Sequence, residues 1–167
     1  MRIQEEGLIF GDFDEENCFH IEDTRIYNRL RGQEYSSVEF VLHRPDANEL
    51  FFVEGKTSLP DKKNLEDLDE NIREISKKFM DSFHLACGIW FGGHSKRVET
   101  PLNAASFFTY GTQVVFVLVI KNRRGKLSGI KEKINLALKR ERRLLGFEVR
   151  VVSEEIAVEA KLVVDAK

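Results

Sequence analysis

The sequence predicts an α/β protein in which helices flank a mixed central β-sheet, folded over residues 1–167 as a single domain. Three observations carry this. Ser37 to His43 and Glu49 to Ser58 read as neighbouring strands joined by the short turn Pro45-Asp46-Ala47-Asn48. Leu65, Leu68, Ile72, Ile75, Phe79 and Phe83 recur at spacings of three and four, the signature of a long amphipathic helix. Thr112 to Lys121 is a continuous apolar strand, as expected where a sheet is covered on both faces.

The remaining elements follow in order. Leu8 to Phe13 and Cys18 to Ile21 read as short strands. Asp23-Thr24 supplies capping residues for a helix running to about Arg31, where Gly32 ends it. The long helix begins after Asn64, with Pro60 and Asp61 just before it, and stops at Gly88 or at the Gly92-Gly93 pair. Residues 92–111, rich in small side chains, read as irregular. Ile130, Ile134, Ala137, Leu138 and Leu145 mark a second helix closed by Gly146. Phe147 to Val152 is a further strand, and the tail from Glu154 is expected to add one more.

Composition narrows the function. At 42% apolar and 32% charged residues, the chain sits with globular proteins. Thirteen Phe against three Tyr and one Trp point to a filled interior rather than an aromatic binding surface. MRIQEEGLIF has neither the basic start nor the apolar run of a signal peptide, and Val114 to Ile120 is too short to cross a bilayer. Cys18 and Cys87 lack CxxC spacing, which argues against a disulfide framework or a zinc site. The cytoplasm is the expected location. Charge is uneven: residues 121–143 carry ten bases against two acids, and residues 1–23 eight acids against one base. The basic segment, with Arg123, Arg124, Arg140, Arg142 and Arg143, is a candidate phosphate-contact surface. The competing reading is a solvated helix face balanced by the acidic end.

The chemistry centres on residues 38–58. Pro45-Asp46 precedes Glu54-Gly55-Lys56, in the order of a proline and acid, a gap, then acid-x-lysine. Strand geometry rejects that pairing. Asp46 lies in the turn, eight residues from Glu54, on the order of 20–25 Å away along the strand. Ligands of one metal ion must converge within a few ångströms. With the turn centred between Asp46 and Ala47, Glu39 instead falls opposite Glu54, on the face that also carries Lys56. The same register groups Val38, Phe40, Leu42, Phe51 and Val53 on the other face, an apolar surface for a helix to cover. Two carboxylates side by side repel each other, and a divalent cation is the usual compensation; oxygen ligands favour Mg²⁺ or Mn²⁺. The alternative is a surface ion pair of Lys56 with Glu39 or Glu54. The neighbouring Val41, Leu50 and Phe52 argue against an ordinary exposed face.

At these residues the chain resembles the PD-(D/E)XK nuclease superfamily, which has a restriction-endonuclease-like fold. SSVEFVLHRP resembles its first paired strand, FFVEGKTS the second, and residues 64–87 the helix that follows. The resemblance covers residues 22–122 and extends to 152. It implies that Glu39 and Glu54 are metal ligands, that the Gly55 carbonyl is a further ligand, and that Lys56 orients water or stabilises charge. It offers Glu22, and more weakly Glu34, as an additional acid from the first helix. The family's usual first acid is aspartate, and Glu39 departs from that pattern by one methylene.

Other motifs carry less. Gly55-Lys56-Thr57 ends like a phosphate-binding loop, but Leu50 stands where that loop needs glycine. His20, His43, His84 and His94 show no ligand spacing. Phe107, Phe108 and Tyr110 read as core before base-stacking. The expected function is a Mg²⁺-dependent nuclease acting on phosphodiester bonds in DNA, with a homodimer or a partner protein supplying specificity and no membrane partner. The alternatives are a non-catalytic nucleic-acid-binding or assembly subunit, and an interaction protein whose acidic N-terminus binds a basic partner.

Overall fold

A computed structural model describes residues 1–30, 32–60, 64–91, 109, 111–122 and 127–164. Strands β1 (Ile3–Glu5) and β2 (Leu8–Phe10) form an antiparallel hairpin. Glu6 and Gly7 turn it, both at positive φ (51° and 72°), the two-residue connection that matches strand twist. Then come β3 (Cys18–Phe19), α1 (Arg25–Leu30), β4 (Phe40–Arg44), β5 (Glu49–Lys56), α2 (Leu65–Phe91) and β6 (Gln113–Ile120). Helices α3 (Ser128–Ala137) and α4 (Lys139–Leu145), strand β7 (Glu148–Ser153) and α5 (Glu154–Glu159) complete the order.

The main sheet runs β3-β4-β5-β6-β7, antiparallel up to β5 and parallel from β5 onward. It is the mixed sheet flanked by helices that the sequence predicts. Phe40 pairs with Val53 and Arg44 with Glu49, so the turn is centred between Asp46 and Ala47. Pro45–Ala47 form a 3₁₀ turn closed by Asn48 at φ 51°, a conformation asparagine tolerates. β5 and β6 lie at the centre, buried on both faces.

Each face has its own core. Val41, Leu50, Phe52, Phe116 and Leu118 pack under α2 and α3, where Ile75, Phe79, Phe83, Ile130 and Ile134 meet them. Phe79 stacks on Phe116 with ring centroids 4.9 Å apart. On the other face Phe40, Leu42, Phe51, Val53, Val115 and Val117 meet Ile3, Leu8 and Phe10 of the hairpin and Ala157, Leu162 and Val163 of the C-terminal segment.

Four expectations are corrected. The face carrying Phe40 and Val53 is covered by the β1–β2 hairpin and the C-terminal segment, while the long helix covers the carboxylate face. Val38 belongs to the α2 side, its N–H donating to Ser82 Oγ at 2.8 Å. The helix expected through Leu145 is two helices that meet at Leu138. The tail forms α5 rather than a strand, because Ser153 Oγ accepts from the Ile156 N–H and Glu154 and Glu155 stand in the first turn. Among the described residues, no helix is long and apolar enough to cross a membrane. Phe107, Phe108, Tyr110, His94, Arg123 and Arg124 lie outside the described residues.

Candidate active site

Glu54 and Lys56 lie two residues apart near the C-terminal end of β5, where alternation sends both side chains toward α2. Between them Gly55 is held under the hairpin. A Cβ there would meet Phe10 Cζ at 3.2 Å and Leu8 Cδ1 at 3.5 Å. An alanine there would need the Phe10 ring to give by a few tenths of an ångström.

Glu39 stands just before β4. Its N–H donates to Val53 O at 3.0 Å, although the ladder pairs Val53 with Phe40. Two residues thus face one, the count of a β-bulge, a device that re-aims a side chain. Carbonyls alternate along a strand, so the Gly55 carbonyl points to the same side as that of Val53. The ladder has ended there, because the Val38 N–H is engaged by Ser82 Oγ. The bulge and the end of the ladder leave Glu39, Glu54 and the Gly55 carbonyl together where the β4–β5 pairing stops.

Helix α2 adds a residue that the strand pattern does not contain. Lys78 Nζ lies 2.7 Å from Glu54 Oε1 and 3.9 Å from Glu39 Oε1, which puts the two carboxylate oxygens within about 7 Å of each other. Lys56 Nζ is 3.3 Å from the same Glu54 oxygen. Asp46 remains in its turn at the far end of β5. Glu54 is fully buried, and its Oε2 has no hydrogen-bond partner among the described residues.

The hairpin tip closes another side. Glu6 Oε1 lies 3.6 Å from Lys56 Nζ, and Glu6 Oε2 accepts from Thr57 Oγ1 at 3.0 Å. Lys121 Nζ donates to Gly7 O at 2.5 Å. Glu22 accepts from Ser37 Oγ at 2.7 Å and from the Tyr27 hydroxyl at 3.4 Å, and its charge reaches Lys78. Glu34 enters only through its backbone carbonyl, which accepts from Lys77 Nζ, the neighbour of Lys78.

The electrostatics follow from burial. Desolvation, then the Glu54 charge, pushes the Glu39 carboxyl up to about 7, with Glu5 adding to the rise and Lys78 and Lys56 opposing it. Burial also raises Glu54 above the usual carboxylate range, against the pull of Lys78 and Lys56. For Lys78 burial works downward, yet Glu54, Glu39 and Glu22 outweigh it and hold the ammonium above its ordinary value. Burial likewise opposes ionisation of Glu6, but Thr57 and Lys56 keep its carboxyl low.

These residues fit a divalent cation. Among the described residues no three His, Cys, Asp or Glu side chains form a metal-binding cluster by themselves. Mg²⁺ nonetheless binds through one or two carboxylates and keeps several waters or substrate oxygens. Here the fitting features are the unpartnered Glu54 Oε2 and the acids Glu5, Glu6, Glu22, Glu39 and Glu54 set against Lys56 and Lys78.

The arginines of α4 are not part of this site. The Gly146 carbonyl at the end of α4 accepts from Gln113 Nε2 at 3.1 Å, and Gln113 pairs with Glu49. Glu54 is five residues further along β5, roughly 16 Å at the rise of a strand. Arg140, Arg142 and Arg143 are exposed at that opposite end, where Lys139, Arg142, Arg143 and Leu136 line a cleft of about 680 Å³. If these arginines bind phosphates, replacing all three by alanine should weaken binding alike on every sequence. The slope of log affinity against log salt should flatten by nearly one unit for each phosphate no longer neutralised. An unchanged slope assigns them to a solvated helix face.

Searches against family models, curated proteins and solved structures return no significant match for this chain.

Proposed function

We propose that the chain is a metal-dependent nuclease that hydrolyses phosphodiester bonds in DNA, on a restriction-endonuclease-like core of the PD-(D/E)XK kind. The observation that carries this reading is the buried Glu54 carboxylate, one oxygen unpartnered, set beside Glu39 with Lys56 two residues along the same strand. Glu39, Glu54 and the Gly55 carbonyl would hold Mg²⁺ or Mn²⁺. When bound, such an ion supplies Lewis-acid polarisation of the scissile phosphate and a more acidic attacking water.

The chain's own groups do the rest. Glu54 is fixed by its burial on central strand β5, so its position does not depend on substrate. The Lys56 side chain keeps 22% of its surface exposed, so its Nζ reaches solvent and can donate to a water or a phosphate oxygen. Thr57 and Lys56 already hold one anion, the Glu6 carboxylate, which is a pattern for how a second one would be held. The fully buried Phe10 closes the hairpin face of β5 to water.

One observation favours a second reading, a non-catalytic nucleic-acid-binding or assembly subunit on the same core. Lys78 supplies a positive charge to both carboxylates without any metal. Incubation with plasmid and oligonucleotides, with and without Mg²⁺ or Mn²⁺, separates the two. Metal-dependent cutting supports the nuclease. Salt-sensitive retention without cutting supports the silent subunit, and the absence of both cutting and retention would sink both readings.

A further inference from the structure

We propose that Lys78 is the exchangeable counter-cation of the carboxylate pair: its ammonium neutralises the pair in the metal-free protein and would leave when a divalent ion binds. The inference rests on the reading that this site accepts such an ion.

The geometry carries it. Lys78 Nζ touches Glu54 Oε1 at 2.7 Å and stands 3.9 Å from Glu39 Oε1, between the two groups an ion would bridge. Glu54 has no exposed surface, so its charge needs a cation beside it at all times. Lys56 cannot take that part alone. It is further from Glu54, at 3.3 Å, and is shared with Glu6 at 3.6 Å. Lys78 holds Glu54 Oε1, so an ion taken up by Oε2 of the same carboxylate would lie within a few ångströms of the ammonium and repel it strongly.

Lys78 also has the means to leave. It reaches the sheet from α2 on a flexible four-carbon stem, and 28% of its side-chain surface remains exposed. Glu22, held by Ser37 Oγ at 2.7 Å and Tyr27 at 3.4 Å, places a third carboxylate within electrostatic reach. That carboxylate gives the displaced ammonium an alternative partner.

The test needs no nucleic acid. Mn²⁺ is titrated by calorimetry into wild type, Lys78→Met and Lys78→Arg, with folding checked by circular dichroism. Lys78→Met, which keeps the stem and removes the charge, should bind Mn²⁺ at least tenfold more tightly than wild type. Lys78→Arg should not. In parallel, lysine acetylation of the wild-type protein is read by mass spectrometry across the same titration. Lys78 labelling should rise several-fold with Mn²⁺, and Lys56 labelling should not. Unchanged Lys78 labelling, or equal or weaker binding by folded Lys78→Met, overturns the inference. Tighter binding by Lys78→Met together with rising Lys78 labelling in wild type, but no metal-dependent cutting, supports the exchange and sinks the metal-dependent nuclease. Metal-dependent cutting by wild type with unchanged labelling does the reverse, and no binding by either form overturns both.

Discussion

Lys56→Ala is expected to slow phosphodiester cleavage by roughly two or more orders of magnitude while nucleic-acid affinity changes far less, the scale seen when an acid–base or electrostatic group is removed. The Lys56 ammonium lies 3.3 Å from Glu54 Oε1 and retains solvent access, so it can act on water or phosphate beside the carboxylate pair. Folding should survive. Glu54 keeps Lys78 at 2.7 Å, so the substitution does not strand a buried charge, and Glu6 keeps its bonds from Thr57. Cleavage rate, binding on uncleaved substrate and melting temperature, measured on the same preparations, separate the roles. Cutting at the wild-type rate would sink the mechanism, and loss of folding would make Lys56 a structural ion pair.

Much of the sheet is legible in the sequence because its pairing is local. The four-residue connection Pro45 to Asn48 allows few registers, and the alternation of Phe40, Leu42, Phe51 and Val53 with Val41, Leu50 and Phe52 selects one. The stripe from Leu68 to Phe83 sets the long helix in the same way. The face α2 would cover is not legible, because both faces of β4 and β5 are apolar. Handedness of the crossover decides it, and that rule acts on strand order rather than on local pattern. The tail misleads for a related reason. Ile156, Val158, Ala160 and Leu162 stand at alternate positions like one face of a strand, and a single cap from Ser153 turns the first turn into helix.

The site divides along the same line. Glu39, Glu54 and Lys56 are readable because one short turn brings their strands together. Lys78 is 22 residues beyond Lys56, and nothing in the strand pattern points to it. A signal was present in the helix: Lys78 lies three residues after Ile75 and four before Ser82, both buried, so it falls on the covered side of α2. A lysine there requires a buried acid opposite. Glu6 had a signal too, because Glu5-Glu6-Gly7-Leu8 is a hairpin turn between Ile3 and Phe10, whose apolar faces must land on the sheet. The position of the α4 arginines was not legible. A run of charge counts bases, and only the sheet topology places them at the end of the sheet away from Glu54.

Glu39→Gln is expected to stabilise the metal-free protein at neutral and alkaline pH while removing metal-dependent cutting. Burial, then the neighbouring Glu54, raises the Glu39 carboxyl to about 7, so the folded chain holds that proton more tightly than the unfolded one, where glutamate titrates near ~4.3. The stabilisation from the bound proton is complete below the unfolded value and is lost as pH rises to about 7. Above that, wild type carries a buried negative charge, and the neutral glutamine does not. The gain there should be on the order of 1–3 kcal/mol, a few degrees of melting temperature for a chain this size, closing toward pH 4. Lys78 is not stranded by the change, because Glu54 remains its nearer partner at 2.7 Å. Function should move the other way, since one of the two carboxylates proposed to hold the cation is gone. Thermal melts at several pH values and cutting assays with Mg²⁺ test both halves. A variant that melts below wild type at pH 8 would mean that Lys78 and Lys56 more than offset the burial of Glu39. A gain that does not change with pH would belong to packing rather than to charge.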